Sequence, residues 1–141
     1  VEKQTGTLEE FSRKIRTELK FMDYAPVLFL SALTGQRVHK LMGMVRAVHE
    51  QATRRVTTGL LNDVLADAQN ALQPPSMSGR RLRIYYATQA SIAPPTFVLF
   101  VNDATLMHFS YERYLNNAFR KAFGFEGTPI RFILRERGKE Q

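Results

Sequence analysis

The order in which the hydrophobic period changes after Thr57 constrains this chain most. Leu61, Val64, Leu65, Ala68 and Leu72 recur at three- and four-residue spacing, the pattern of one helix face. The period then drops to two: Leu82, Ile84 and Tyr86 alternate with Arg81, Arg83 and Tyr85, which predicts a half-buried strand. Thr96-Phe97-Val98-Leu99-Phe100-Val101 predicts a second, more buried strand. Tyr111, Tyr114, Leu115, Ala118, Phe119 and Ala122 return to the helical period, with Ser110 as the expected cap and Gly124 near the end. Ile130, Phe132 and Leu134 alternate as a last strand, followed by a charged tail expected to fray. Gln73 to Gly79 is a loop by composition. The order is α-β-β-α-β. Three strands with helices on one face make a two-layer α+β unit.

The opening third carries a different pattern. Thr7-Leu8-Glu9-Glu10 has the form of a capping box, and Leu8, Phe11, Ile15 and Leu19 follow at helical spacing to about Lys20. Pro26 to Leu30 is a short continuous apolar run, as expected of a strand buried on both faces. Val38, Leu41, Met42, Val45 and Val48 form a second helical stripe running to about Arg54. Helix–strand–helix is half of an α/β layer, and a single strand makes no sheet by itself.

Composition excludes several chemistries. The chain has no Cys, so disulfides, thiolate zinc sites and a cysteine nucleophile are absent. His39, His49 and His108 have no accompanying carboxylate cluster, so no metal site is expected. No apolar run approaches the ~20 residues of a membrane span. The polar start Val1-Glu2-Lys3-Gln4 lacks a signal-peptide pattern, so a cytoplasmic location is expected. The first residue is Val rather than Met, which suggests a fragment of a longer protein. Net charge is +7, from 20 Lys and Arg against 13 Asp and Glu. The excess is shared: 10 against 6 before Thr57 leaves +4, and 10 against 7 from there on leaves +3. That balance suits an anionic partner such as RNA.

Catalytic patterns are thin. A phosphate loop needs G-x-x-x-x-G-K-[ST], and the one Gly-Lys pair, Gly138-Lys139, is followed by Glu140. Neither G-x-G-x-x-G nor a G-x-S-x-G elbow occurs. Asp63 and Asp67 lie four apart on the third helix and read as solvated charges rather than an acid–base pair. No catalytic residue is assigned. The more informative pattern is basic residues interleaved with aromatics. Arg80, Arg81 and Arg83 precede Tyr85 and Tyr86. His108, Arg113, Arg120 and Lys121 accompany the second helix of the unit, and Arg131, Arg135 and Arg137 its last strand and tail. Arginine and lysine meet phosphates, and an exposed tyrosine stacks on an unpaired base. Tyr111 and Tyr114 follow the apolar stripe and are expected in the core.

The segment HFSYERYLNNAFRKAFGFEGTPIRF, His108 to Phe132, with Val101-Asn102 ahead of it, resembles the end of the Der (EngA) family of tandem GTPases. Phe21 to Val38, FMDYAPVLFLSALTGQRV, resembles the close of that family's second GTPase domain. Its Ser31-Ala32-Leu33 matches the last guanine-binding motif. The two blocks keep the family's order and spacing and cover essentially the whole chain.

The resemblance implies residues 1–55 as the C-terminal remnant of a P-loop GTPase domain and 56–141 as a KH-like domain. It implies a parent protein that binds and hydrolyses GTP with Mg²⁺ and acts in assembly of the large ribosomal subunit. Expected partners are that subunit, its rRNA and the GTPase domains of the same protein, with neither membrane nor DNA. This chain alone, lacking the phosphate loop, is not expected to hydrolyse GTP. Ser31, Ala32 and Leu33 would sit beside guanine; Arg80, Arg81, Arg83, His108, Arg113, Arg120, Lys121, Arg131 and Arg135 would face RNA or the ribosome. One departure from ordinary KH domains is the missing G-x-x-G clamp: Thr105 to Ser110 has no glycine. The alternative is an intramolecular regulatory and docking platform without direct RNA contact.

Overall fold

A computed structural model describes residues 5–138. The charged start and the last three residues of the tail lie outside them. Helices α1 (Thr5–Glu18) and α2 (Val38–Ala52) precede α3 (Thr58–Ala71). A small hairpin, β1 (Ser76–Met77) and β2 (Arg80–Arg81), leads to strands β3 (Ile84–Ser91) and β4 (Thr96–Val101). Helix α4 (Phe109–Phe123) and strand β5 (Arg131–Glu136) complete the order. Short 3-10 turns occupy Lys20–Met22 and Ala104–Leu106.

The larger sheet has the order β3-β4-β5. β3 and β4 pair antiparallel; β4 and β5 pair parallel, Phe97 opposite Phe132 and Leu99 opposite Leu134. A parallel pair needs a crossover long enough to return the chain, and α4 supplies it. β4 is therefore central and nearly all buried, as its unbroken apolar run predicts. Phe97, Leu99 and Val101 point to one face, where they meet Leu61, Leu65 and Ala68 of α3 and Tyr111, Leu115, Phe119 and Phe123 of α4. Phe97 meets Phe119 edge-on at 5.2 Å between ring centroids, with Phe125 at 5.9 Å and Phe132 at 6.3 Å. Edge-on aromatic contacts add to area burial because a positive ring edge meets a negative face. The expected α-β-β-α-β order, with both helices on one side of the sheet, is present.

Side-chain amides close the outer edge of β3, which has no strand beside it among the described residues. Asn62 accepts from Ala87 N–H at 2.8 Å and donates to Ala87 C=O at 3.0 Å, imitating one rung of a ladder. Gln89 acts in the same way on the chain before α3, accepting from Val56 N–H and donating to Arg54 C=O. α4 is tied to α3 by two phenols: Tyr111 donates to Leu72 C=O at 2.8 Å and Tyr114 to Ala68 C=O at 2.7 Å. Burial, and to a lesser degree Tyr114, pushes the Tyr111 hydroxyl up to about 12. Among the described residues, no buried side-chain polar atom lacks a partner.

Several local expectations change. Pro26–Leu30 is not a strand: the run pairs with nothing among the described residues, and a ladder needs a neighbour. α1 is already helical at Thr5, so Thr7 lies inside it rather than capping it. α4 begins at Phe109 with His108 as its cap, whose ring accepts from Ser110 N–H; Ser110 is inside the helix. The expected loop at 73–79 contains the first strand of the small hairpin, turned by Ser78 (φ 52°) and Gly79 (φ 76°), the paired positive φ of a tight hairpin. The strand expected at Leu82–Tyr86 starts at Ile84 and runs on to Ser91.

Among the described residues before Leu61, none is buried. The α1 and α2 stripes form helices where the spacing predicts, yet Phe11, Met42 and Val45 remain half exposed or more. The junction with the rest of the fold is polar and close. Phe125 N–H donates to Gln51 Oε1 at 3.0 Å, Arg54 Nη1 to Phe123 C=O at 2.6 Å, Ala93 N–H to Ala52 C=O at 2.8 Å and Gly127 N–H to Tyr24 C=O at 3.1 Å. Gly127 has φ +83°, and a Cβ there would lie 2.5 Å from Val48 Cγ2.

Gly127→Ala is expected to destabilise the fold by about 1–3 kcal/mol, from overpacking and a strained φ. Val48→Ala should recover only the steric part, with a coupling of about 0.5–3 kcal/mol in a double-mutant cycle of urea unfolding. Tyr111 gives a pH signature. Below about pH 10 both states keep the phenolic proton; above it the unfolded chain loses the proton first, so stability falls as pH rises from 10 towards 12. Tyr111→Phe should flatten that fall, measured by urea midpoints across the alkaline range.

Candidate nucleic-acid interface

The hairpin and the sheet bring one group of basic residues together. Register places Ile84, Val101 and Glu136 side by side, so the start of β3 and the ends of β4 and β5 share one end of the sheet. Arg83 stands there, its backbone joined to Asn102 in both directions: Arg83 N–H donates to Asn102 Oδ1 at 2.9 Å, and Asn102 N–H to Arg83 C=O at 3.1 Å. Asn102 Nδ2 also donates to Arg81 C=O, which holds β2 against this end. Arg80 pairs with Asp103 at 3.0 Å, and Arg81 hydrogen-bonds Gln73 Oε1. Asp103 is held below the usual carboxylate range, first by the Thr105 hydroxyl and backbone N–H, then by Arg80, against opposing desolvation. Arg80 remains exposed despite its partner. An exposed pair of this kind adds little stability and leaves the guanidinium able to reach phosphate.

The sheet face turned away from the helices carries Arg131, Ile133 and Arg135 on β5, opposite Thr96, Val98 and Phe100 on β4. Phe100 stacks on Tyr86 of β3 with ring centroids 4.3 Å apart and 14° between planes. Tyr85 sits at an irregularity in the β3–β4 register, which turns it from the regular alternation, and Arg137 lies over its ring at 5.1 Å. Arg80, Arg81, Arg83 and Arg135 thus cluster with two exposed tyrosines at one end, while Arg131 lies at the far end of the same face.

The α4 residues fall elsewhere. His108 Nδ1 is engaged in the cap, 3.1 Å from Ser110 N, with Phe109 packed on the ring. Arg120 Nη1 donates to Phe125 C=O at 2.7 Å and Thr128 C=O at 3.0 Å, with its guanidinium 5.0 Å over the Tyr24 ring. Burial pulls Arg120 below the usual arginine value, and Tyr24 and Asp23 oppose that shift. Arg120 therefore secures the chain after α4. Lys121 is exposed in the last helical turn, where a cation complements the helix dipole. Arg113 is exposed beside Phe109, at 6.0 Å from its ring centroid. Tyr111 and Tyr114 are core-side residues, as the stripe predicts.

Ser31, Ala32 and Leu33 form a tight turn. Ser31 N–H donates to Gln36 C=O at 3.0 Å, Gly35 N–H to Ser31 C=O at 2.9 Å and Thr34 N–H to Ser31 Oγ at 3.3 Å. Leu33 is 97% exposed. No phosphate loop occurs in the sequence, and among the described residues there is no group of three His, Cys, Asp or Glu that could hold a metal.

Residues 55–135 match the model of the KH-domain-like, C-terminal domain of EngA bacterial GTPase enzymes. The chain is similar to GTPase Der of Acetivibrio thermocellus, 61% identical over 140 residues, covering 99% of this chain and 32% of that protein. It is 59% identical to GTPase Der of Ruminiclostridium cellulolyticum over the same shares. For GTPase Der of Alkaliphilus metalliredigens the identity is 56% over 97% of this chain and 31% of the relative. The chain spans about a third of the length of these curated relatives. With a KH-like α-β-β-α-β fold and a family model covering most of its length, the chain belongs to the Der (EngA) family and carries that family's KH-domain-like C-terminal domain.

Proposed function

We propose that this chain is the RNA-facing part of a GTP-hydrolysing ribosome assembly factor of the cytoplasm. Residues 56–141 form the KH-like domain that contacts rRNA of the large subunit, and residues 1–55 close the second GTPase domain. The observation that carries this reading is the sheet end where Arg80, Arg81, Arg83 and Arg135 gather around exposed Tyr85 and Tyr86. GTP and Mg²⁺ belong to the parent protein in this reading, with the Ser31–Leu33 turn at the guanine edge. The family comparison supports the GTPase assignment, and the basic balance and absent G-x-x-G clamp favour phosphate and shape recognition. A docking role towards the GTPase domains is favoured by Ile133, 45% exposed on the outer sheet face between two arginines.

The chain is expected to bind large-subunit rRNA at low salt in a filter or gel-shift assay. Arg80→Glu/Arg81→Glu/Arg83→Glu should weaken binding and lower the salt slope by about 0.9 for each duplex phosphate no longer neutralised. No binding by the folded chain would overturn direct RNA contact. Guanine nucleotide titrated into this chain by calorimetry should give no tight complex, because a base edge without a phosphate cradle forgoes the charge-assisted hydrogen bonds that dominate nucleotide affinity.

A further inference from the structure

The two long edges of the three-stranded sheet are finished differently. Along β3, side-chain amides take up the backbone groups: Asn62 at Ala87, and Gln69 at the Ile84 carbonyl. Along β5, no strand lies beside Phe132 or Leu134 among the described residues. Asn116 donates to Ile130 C=O, just before that strand begins.

The ladder shows which groups face the open side. Arg131 N–H donates to Pro95 C=O at 3.0 Å and Arg137 N–H to Val101 C=O at 3.0 Å, with Arg131 in register with Thr96 and Arg135 with Phe100. In a parallel pair, alternate residues carry the bonds to the neighbour. Arg131, Ile133 and Arg135 therefore turn their N–H and C=O groups to β4. Phe132 and Leu134 are out of phase and turn theirs to the open edge, while their side chains pack against the core. On the outer face, Ile133 is half exposed between two exposed arginines. Glu136 accepts from Ala104 N–H at 3.2 Å and marks the end of this edge.

We infer that the Phe132–Leu134 edge takes an added β-strand from a separate protein, an extended segment with acidic residues on both sides of an apolar centre. The inference goes beyond the RNA reading and does not depend on it. An edge strand presents N–H and C=O groups in the pattern that another extended chain completes. A sugar–phosphate backbone has no N–H to give to the Phe132 and Leu134 carbonyls. Side chains of an added strand alternate between faces. Those on the outer face would lie beside Arg131, Ile133 and Arg135, which selects acid, apolar, acid in that order. Those on the inner face would meet Phe132 and Leu134, which selects apolar residues. A second copy of this chain fits poorly. An antiparallel pair of β5 strands centred on Ile133 sets Arg131 opposite Arg135 at both ends, where like charges repel.

The test is amide hydrogen exchange of the whole chain by NMR, alone and with a peptide carrying Glu-Val-Thr-Val-Glu in a Gly/Ser frame. Alone, Ile133 and Arg135 N–H are expected to exchange slowly and Phe132 and Leu134 N–H fast. The peptide should slow Phe132 and Leu134 roughly tenfold at about ten times its Kd. Lysine in place of both glutamates should abolish that protection. Arg131→Glu/Arg135→Glu should reverse the preference, so that the lysine peptide protects and the glutamate peptide does not. Both arginines are exposed, and the variant should keep the thermal melt of the parent chain. No protection by the glutamate peptide, or equal protection by both peptides, would overturn the inference. Protection of the same two amides by rRNA and not by peptide would assign the edge to RNA and overturn it too. Slow exchange of both amides without peptide in a full-length relative would place the occupant in the same chain and overturn the separate partner. The RNA reading is scored independently, by Arg80→Glu/Arg81→Glu/Arg83→Glu.

Discussion

The fold is organised around the side chain of Phe97. It lies on the central strand, buried, and meets an aromatic ring from α4, one from the chain leading to β5 and one on β5 itself. Those contacts fix the crossover that lets β5 run parallel to β4. They also set the angle of α4 to the sheet, and with it the direction in which the rest of α4 faces. Burying a phenylalanine contributes on the order of 1.5–3 kcal/mol, and the edge-on contacts add to that. Placing rings from three consecutive elements around one residue makes the pairing of strands and the docking of the helix a single cooperative event.

Elements were legible in the sequence wherever burial produced a period. β4 reads as a strand because both of its faces are covered; α3 and α4 read as helices because one face of each is. Pro26–Leu30 breaks the rule for a physical reason: an apolar run records a tendency to be buried, not the presence of a partner strand. Polar elements leave no hydrophobic period either. The small hairpin was therefore invisible apart from its Ser78-Gly79 turn, a dipeptide whose meaning depends on its neighbours. The α4 cap lies at His108 rather than Ser110, a two-residue difference of the kind that helix periodicity cannot resolve.

Site residues were legible by type and not by fate. The sequence marks nine basic positions as candidates for RNA; it cannot mark which find acceptors inside the protein. Arg120 commits its guanidinium to the carbonyls of Phe125 and Thr128, and Arg54 does likewise at Phe123. Arg54 meets the carboxy-terminal end of α4, where orphan carbonyls and the helix dipole attract positive charge, and Arg120 meets the loop beyond it. Arg80 pairs through its side chain with Asp103 in the loop after β4, whereas Arg83 meets that loop through its backbone.

The close approach of Gly127 to Val48 bears on how charge and shape divide their labour. A side chain in van der Waals contact with a backbone is indifferent to ionic strength, whereas attraction between arginines and a polyanion is screened over about 10 Å at 0.1 M salt. The alignment of the described residues before α3 with the sheet is set by dispersion, steric exclusion and short hydrogen bonds. Salt that screens the surface charges leaves this framework in place.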